Sequence, residues 1–185
     1  PEWIMFKALD DVYNREVYHH RTPSSYQSTL ILNNTDSTRN VLHEAVTATT
    51  IPVTDDYTGA SAAGKRMIAY CWHSVEGYSK FGSYVGNGNA DGPFIYLGFK
   101  PALIILKKIA DEGWQMIDNK RDLNNVVVNS ISPNASAVER ADLIDIDFLS
   151  NGFKLRGTDS SQNTSSSTYI YMAWAEMPFK YATAR

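Results

Sequence analysis

The densest grouping of acids in the chain is Asp142-Leu143-Ile144-Asp145-Ile146-Asp147. Two carboxylates flanking a sugar bond can hydrolyse it, one protonating the leaving oxygen while the other attacks or activates water. On a strand, however, Asp145 and Asp147 alternate with Ile144, Ile146 and Phe148, the pattern of a solvent-facing polar side. The run Asn87-Gly88-Asn89-Ala90-Asp91-Gly92 sets oxygen-bearing side chains at alternate positions, as a calcium loop does. Such a loop needs several carboxylates and a Glu at its twelfth position, whereas here Asp91 is the one acid and the twelfth position is Gly98. The segment therefore reads as a turn. His19 and His20 are adjacent, so on a strand they point to opposite faces and cannot chelate one ion. His43 and His73 have no companion at ligand spacing, and no metal or cofactor is expected. The single cysteine, Cys71, excludes an intramolecular disulfide, and its run Met67-Ile68-Ala69-Tyr70-Cys71-Trp72 predicts packing as a small hydrophobe. No nucleophile elbow, phosphate loop or dinucleotide fingerprint is present.

The aromatic residues offer a different chemistry. Tyr78, Tyr84, Tyr96 and Tyr181 flank turn signals and are the candidate ligand-binding residues, because an exposed ring can stack on a sugar. Trp3, Trp72 and Trp174 sit among apolar neighbours and are expected in the core.

The elements that must position these residues are strands. Aromatics make up 12% of the 185 residues, 43% are hydrophobic and 20% charged, the balance of a folded β-rich chain. Seventeen basic residues against 20 acidic ones give a net charge of −3, with the cations scattered singly. That pattern argues against nucleic-acid binding. No apolar run approaches the ~18 residues of a membrane span, so no membrane insertion is expected. The chain opens on Pro1-Glu2-Trp3 inside a strand-like run, which reads as a fragment of a longer protein.

The chain also resembles itself. Pro1-Glu2-Trp3-Ile4-Met5-Phe6-Lys7 matches Pro101-Ala102-Leu103-Ile104-Ile105-Leu106-Lys107; Glu16 to Arg21 matches Gln115 to Arg121. Leu30-Ile31-Leu32-Asn33 matches Val126-Val127-Val128-Asn129, and Met67 to Trp72 matches Tyr169 to Trp174, each trailed by a glutamate, Glu76 or Glu176. Tyr78 and Phe179 then take similar places. The expectation is an all-β protein of two tandem related β-sandwich-like repeats, residues 1–80 and 81–185, the first incomplete at its N-terminus. Trp72 and Trp174 should occupy equivalent buried sites. Ser150-Asn151-Gly152-Phe153 predicts a hairpin with a type I′ turn, and Gly157 to Ser167 an exposed polar loop. Ser136 to Leu143 is the one helix candidate, with Ser136 and Glu139 as its cap.

Gly82-Ser83-Tyr84-Val85-Gly86-Asn87-Gly88-Asn89-Ala90-Asp91-Gly92-Pro93-Phe94, Gly98-Phe99-Lys100-Pro101, Asp147 to Phe153 and Tyr169 to Glu176 together resemble a repeat module of unknown function common in tail-fibre-like virion proteins of marine and cyanobacterial bacteriophages. The resemblance covers the second repeat nearly completely and the first in part, and transfers no catalytic residue. It implies a virion-located structural or adhesion module that binds other virion proteins or a host-surface glycan without catalysis, assembled as a homo-oligomer with a trimer favoured. The alternative from another class is a polysaccharide-degrading enzyme of a phage appendage that uses Asp142, Asp145 or Asp147.

Overall fold

Runs of β-branched and aromatic residues, each closed by Gly, Asn, Asp or Pro, leave the chain few options other than short strands. The structure, a computed structural model, describes residues 1–10, 12–22, 28–35, 39–40, 42, 45–53, 65–110 and 112–177, and among them every regular element is a strand. The protein is all-β. Strands β1 (Trp3–Ala8), β2 (Glu16–His19), β3 (Ser28–Ile31), β4 (Arg39–Asn40) and β5 (Met67–Trp72) make an N-terminal sheet in the order β4-β3-β2-β1-β5. Strands β6 (Ser79–Val85), β8 (Pro101–Lys108), β9 (Trp114–Asp118) and β12 (Thr168–Ala175) make a central sheet in the order β6-β12-β8-β9. The remaining β7 (Phe94–Tyr96), β10 (Ile146–Leu149) and β11 (Gly152–Leu155) form a small sheet in the order β10-β11-β7. All named pairings are antiparallel.

The central sheet is apolar on both faces. Tyr169, Tyr171 and Ala173 of β12 join Ile104, Leu106 and Ile117 against Ile95, Ile146, Phe148, Phe153 and Leu155 of the small sheet. The alternate residues Ile170 and Met172, with Phe81 and Trp114, pack on Trp3, Val17 and Leu30 of the N-terminal sheet. A third cluster, Ile4, Phe6, Tyr18 and Leu42, fills the far side of the N-terminal sheet. A strand buried on both sides shows a continuous apolar run in place of alternation, which is why Tyr169-Ile170-Tyr171-Met172-Ala173-Trp174 has none.

Three of the four segments matched in the sequence take like pairings, and the fourth does not: Leu30 and Ile31 lie in β3 beside β2, whereas Val126 to Val128 form no strand and Val127 bridges Ile146. β1 lies between β2 and β5, with Trp3 opposite His19 and Trp72; β8 lies between β9 and β12, with Leu103 opposite Asp118 and Trp174. The expected boundary at residue 80 falls inside β6. Among the described residues, the N-terminal sheet has its inner face covered by the central sheet. Two latches hold it there. Trp114, fully buried, donates its indole N–H to Ile31 O at 2.8 Å. Lys107, also fully buried, donates from Nζ to the carbonyls of Thr35, Ala110 and Glu112 at 3.3, 2.7 and 2.8 Å. Trp72 and Trp174 are half-buried, not fully buried as expected, and both rings pack against Trp3, at 4.4 and 6.2 Å between centroids.

Several local expectations are corrected. Ser136 to Leu143 is not helical: Arg140 bridges the backbone of Ser130, and Glu139 leaves its capping role to pair with Arg121. The β10–β11 hairpin forms, but neither Asn151 nor Gly152 has a positive φ, so the turn is not type I′. Gly152 serves instead the close approach of β7, since a Cβ there would sit 2.1 Å from Ile95 O. The polar segment after Gly157 is not wholly exposed: Ser161, Gln162 and Asn163 are buried. Asn163 is a strut, its Nδ2 donating to Asn87 Oδ1, Asn89 O and Gly157 O while its Oδ1 accepts from Asn87 N. Cys71 is exposed, because β5 ends its sheet and little packs over it.

Candidate binding cleft

An open cleft of ≈ 1240 Å³ is lined by residues of β6 in the central sheet, of β7 in the small sheet and of the segments that follow β5, β7 and β12. Its walls come from segments far apart in the chain: the turn from Ser74 to Gly77, Lys80 on β6, Tyr96 to Lys100 after β7, and Glu176 after β12. Two glycines in left-handed conformation, Gly77 (φ 72°) and Gly98 (φ 88°), make the bends that keep its rims open. Tyr96 stands out, 59% exposed on the outer side of β7. Lys80 crosses from the central sheet to meet it, donating to Tyr96 O at 2.8 Å with its Nζ 5.2 Å from the centre of the Tyr96 ring. Elsewhere in the lining Lys100 Nζ and Glu176 Oε2 lie 2.8 Å apart, and Asn119 Nδ2 donates to Glu176 Oε1 at 2.8 Å. The cleft thus presents an aromatic face, ammonium donors and a carboxylate held by hydrogen bonds, the set that orients a hydroxyl-rich ligand.

The sequence candidates separate on this geometry. Tyr96 lines the cleft, and Tyr78, 39% exposed, sits on the turn between the lining residues Gly77 and Ser79. Tyr84 belongs to the core: it stacks on Tyr169 at 5.0 Å and donates its hydroxyl to Gln162 O at 2.8 Å, so neither face nor hydroxyl is open to a surface ligand. Tyr181, Phe179 and His43 lie outside the described residues. Sequence reasoning missed Lys80, Lys100 and Glu176, whose roles depend on which distant segments meet.

Two of the three acids of the alternative reading are paired with arginines. Asp142 is bound by Arg140 through two hydrogen bonds of 2.9 Å, and this guanidinium holds its carboxyl below the usual range. Asp147 is not on a solvent face as expected; it is buried and accepts from Arg156 Nε at 2.6 Å. Asp145 remains exposed beside Gly157. In the Asn87–Gly92 segment the side-chain oxygens have partners in the loop and on β11: Asn87 Oδ1 accepts from Asn89 N, Asn89 Oδ1 from Asp91 N, and Asp91 pairs with Lys154 of β11 at 2.8 Å. His19 and His20 do not point apart. The strand ends at His19, and the two rings lie 5.1 Å from each other, reaching Tyr171 O and Phe81 O respectively.

Residues 1–178 match the model of a family described as a domain of unknown function, DUF7483. The chain belongs to that family. The match to DUF7483 runs through the N-terminal sheet, both halves of the sandwich and the cleft. No curated protein matches the chain, and no solved structure does.

Proposed function

We infer that this DUF7483 domain is a non-catalytic adhesion module of a phage appendage, exposed on the virion, that holds a host-surface glycan in the cleft between Tyr96 and Glu176. The observation that carries the reading is the exposed Tyr96 ring, held by the Lys80 contact and set in an open cleft that Lys100 and Glu176 also line. A sugar would lay its apolar face on the ring and its hydroxyls toward Lys80, Lys100 and Glu176. The placement in a phage appendage rests on the sequence resemblance. The non-catalytic reading is supported by the pairing of Asp142 and Asp147 with arginines, which suits structural carboxylates better than an acid and base poised for proton transfer. A shallow single site binds weakly, so useful attachment comes from several copies in one assembly.

Titration calorimetry with purified host polysaccharide tests this. Binding to the parent protein should weaken about tenfold in Tyr96→Ala, the scale of one aromatic contact, with an unchanged melting temperature. The polysaccharide should keep its length throughout. Shortening of the polymer that stops in Asp145→Asn would establish the enzyme reading in its place.

A further inference from the structure

We propose that β5 is a self-pairing edge through which two copies of this domain join their N-terminal sheets, β5 antiparallel to β5 of the second copy. The backbone decides which groups are on offer. Leu9 N donates to Arg66 O at 3.0 Å, and the β1–β5 register then turns the N–H and C=O of Ile68, Tyr70 and Trp72 toward β1. Those of Met67, Ala69 and Cys71 point outward, where no described residue meets them.

The second half of the chain displays the same edge filled. β12 pairs with β8 in the register by which β5 pairs with β1, and Ile109 N donates to Thr168 O at 2.9 Å. The outward groups of β12 are therefore those of Tyr169, Tyr171 and Ala173, the counterparts of Met67, Ala69 and Cys71. They are taken by Tyr84, Gly82 and Lys80 of the antiparallel β6, with Gly86 N to Ser167 O and Ala175 N to Tyr78 O extending the ladder at 2.9 and 2.8 Å. An edge of this geometry accepts an antiparallel strand.

The composition of β5 identifies the strand. Exposed sheet edges are ordinarily protected by charge, proline, a bulge or shortness. Other terminal strands are protected: β6 and β9 carry Lys80 and Asp118, β9 and β10 are bridged by Ile131 and Val127, and β7 has 3 residues. Met67 to Trp72 has no charge, proline or glycine over 6 residues, with Tyr70 40% exposed and Cys71 exposed. Without charge or proline to protect it, the β5 edge is a template for a strand of another chain, and the β5 of a second copy arrives with the same open edge. With a two-fold axis at Ala69, Ala69 faces Ala69 of the second copy and Met67 faces Cys71 of the second copy, so every outward backbone group is paired. Tyr70 then covers Ile68 of the second copy, an aromatic on a β-branched side chain. The contact is isologous and closes on two copies; the trimer implied by the resemblance would need a different surface.

Sedimentation velocity across roughly 1–100 μM should find the parent protein dimerising, and Cys71→Lys monomeric at the same concentrations with its melting temperature retained. Ala69→Pro should do likewise, since the N–H it deletes points away from β1. Met67→Cys should oxidise to a covalent dimer through Cys71 of the second copy, because directly hydrogen-bonded pairs bring Cα atoms within about 5.5 Å. The parent should not, its two thiols being held apart by the register. A parent that stays monomeric throughout, or a dimer that survives both Cys71→Lys and Ala69→Pro, overturns the proposal, and Met67→Cys without cross-linking overturns the register.

Discussion

His19 is buried without a charge partner, and its two ring nitrogens have fixed roles. Nδ1 accepts from Arg21 N at 3.1 Å, so Nε2 carries the proton and donates to Tyr171 O at 3.3 Å. Protonating Nδ1 would break the first bond and place a cation in the interface beside His20 and Arg21. Burial, with those two charges adding to it, lowers the His19 pKa from 6.5 to about 3. The unfolded chain thus takes up this proton first. The contribution of neutral His19 is complete above the unfolded pKa and is lost as pH falls from about 6.5 toward 3, at roughly 1.4 kcal/mol per pH unit. Denaturant midpoints at pH 7, 6, 5 and 4 should show this slope, and His19→Gln, which keeps a donor and an acceptor, should reduce it, leaving the part due to His20, whose pKa burial also lowers. Lys107 is the other buried ionisable latch. Lys107→Met leaves the Ala110 and Glu112 carbonyls without their ammonium donor and should cost about 2–4 kcal/mol by chemical denaturation.

At the scale of elements, Gly152 ties fold to cleft. In Gly152→Val the new side chain meets Ile95 O and the Phe94 ring, so β7 must shift away from β11. Stability should fall, and glycan binding should fall with it because Tyr96 rides on β7. The Asn87–Gly92 turn makes the opposite kind of prediction: its oxygens are already bonded, so a chelator should leave the melting temperature unchanged, where a tightly held ion would make it drop. Elements whose runs are buried were legible in the sequence: β1, β8, β12 and the β10–β11 hairpin all stand where their apolar runs lie. The run of β5 is just as apolar, but a run carries no mark of whether it ends a sheet, and so the exposure of Cys71 was hidden. The polar letters of Ser161 to Asn163 suggest solvent, yet their hydrogen bonds are made inside the protein. The cleft was legible only at Tyr96 and the turn at Tyr78, because its remaining groups are neighbours through tertiary packing alone.

For the whole molecule, the shared cluster of Trp3, Val17, Leu30, Phe81, Trp114, Ile170 and Met172 couples the N-terminal sheet to the sandwich. Unfolding followed by tryptophan fluorescence and by far-ultraviolet circular dichroism should therefore give coincident transitions. Trp3→Ala should shift both together, by the ~3–5 kcal/mol typical of removing a buried tryptophan; separate transitions would mean that the N-terminal sheet melts on its own. The layering also sets how freely each strand can drift in sequence. In β1 the exposed Lys7 lies between partly or fully buried neighbours, so substitutions there should be tolerated unevenly from one position to the next. In β12 the five residues from Tyr169 to Ala173 are all enclosed between two sheets. A saturation scan scored by soluble expression should find that stretch intolerant of polar residues at every position, because none of its side chains has a solvent face to turn to.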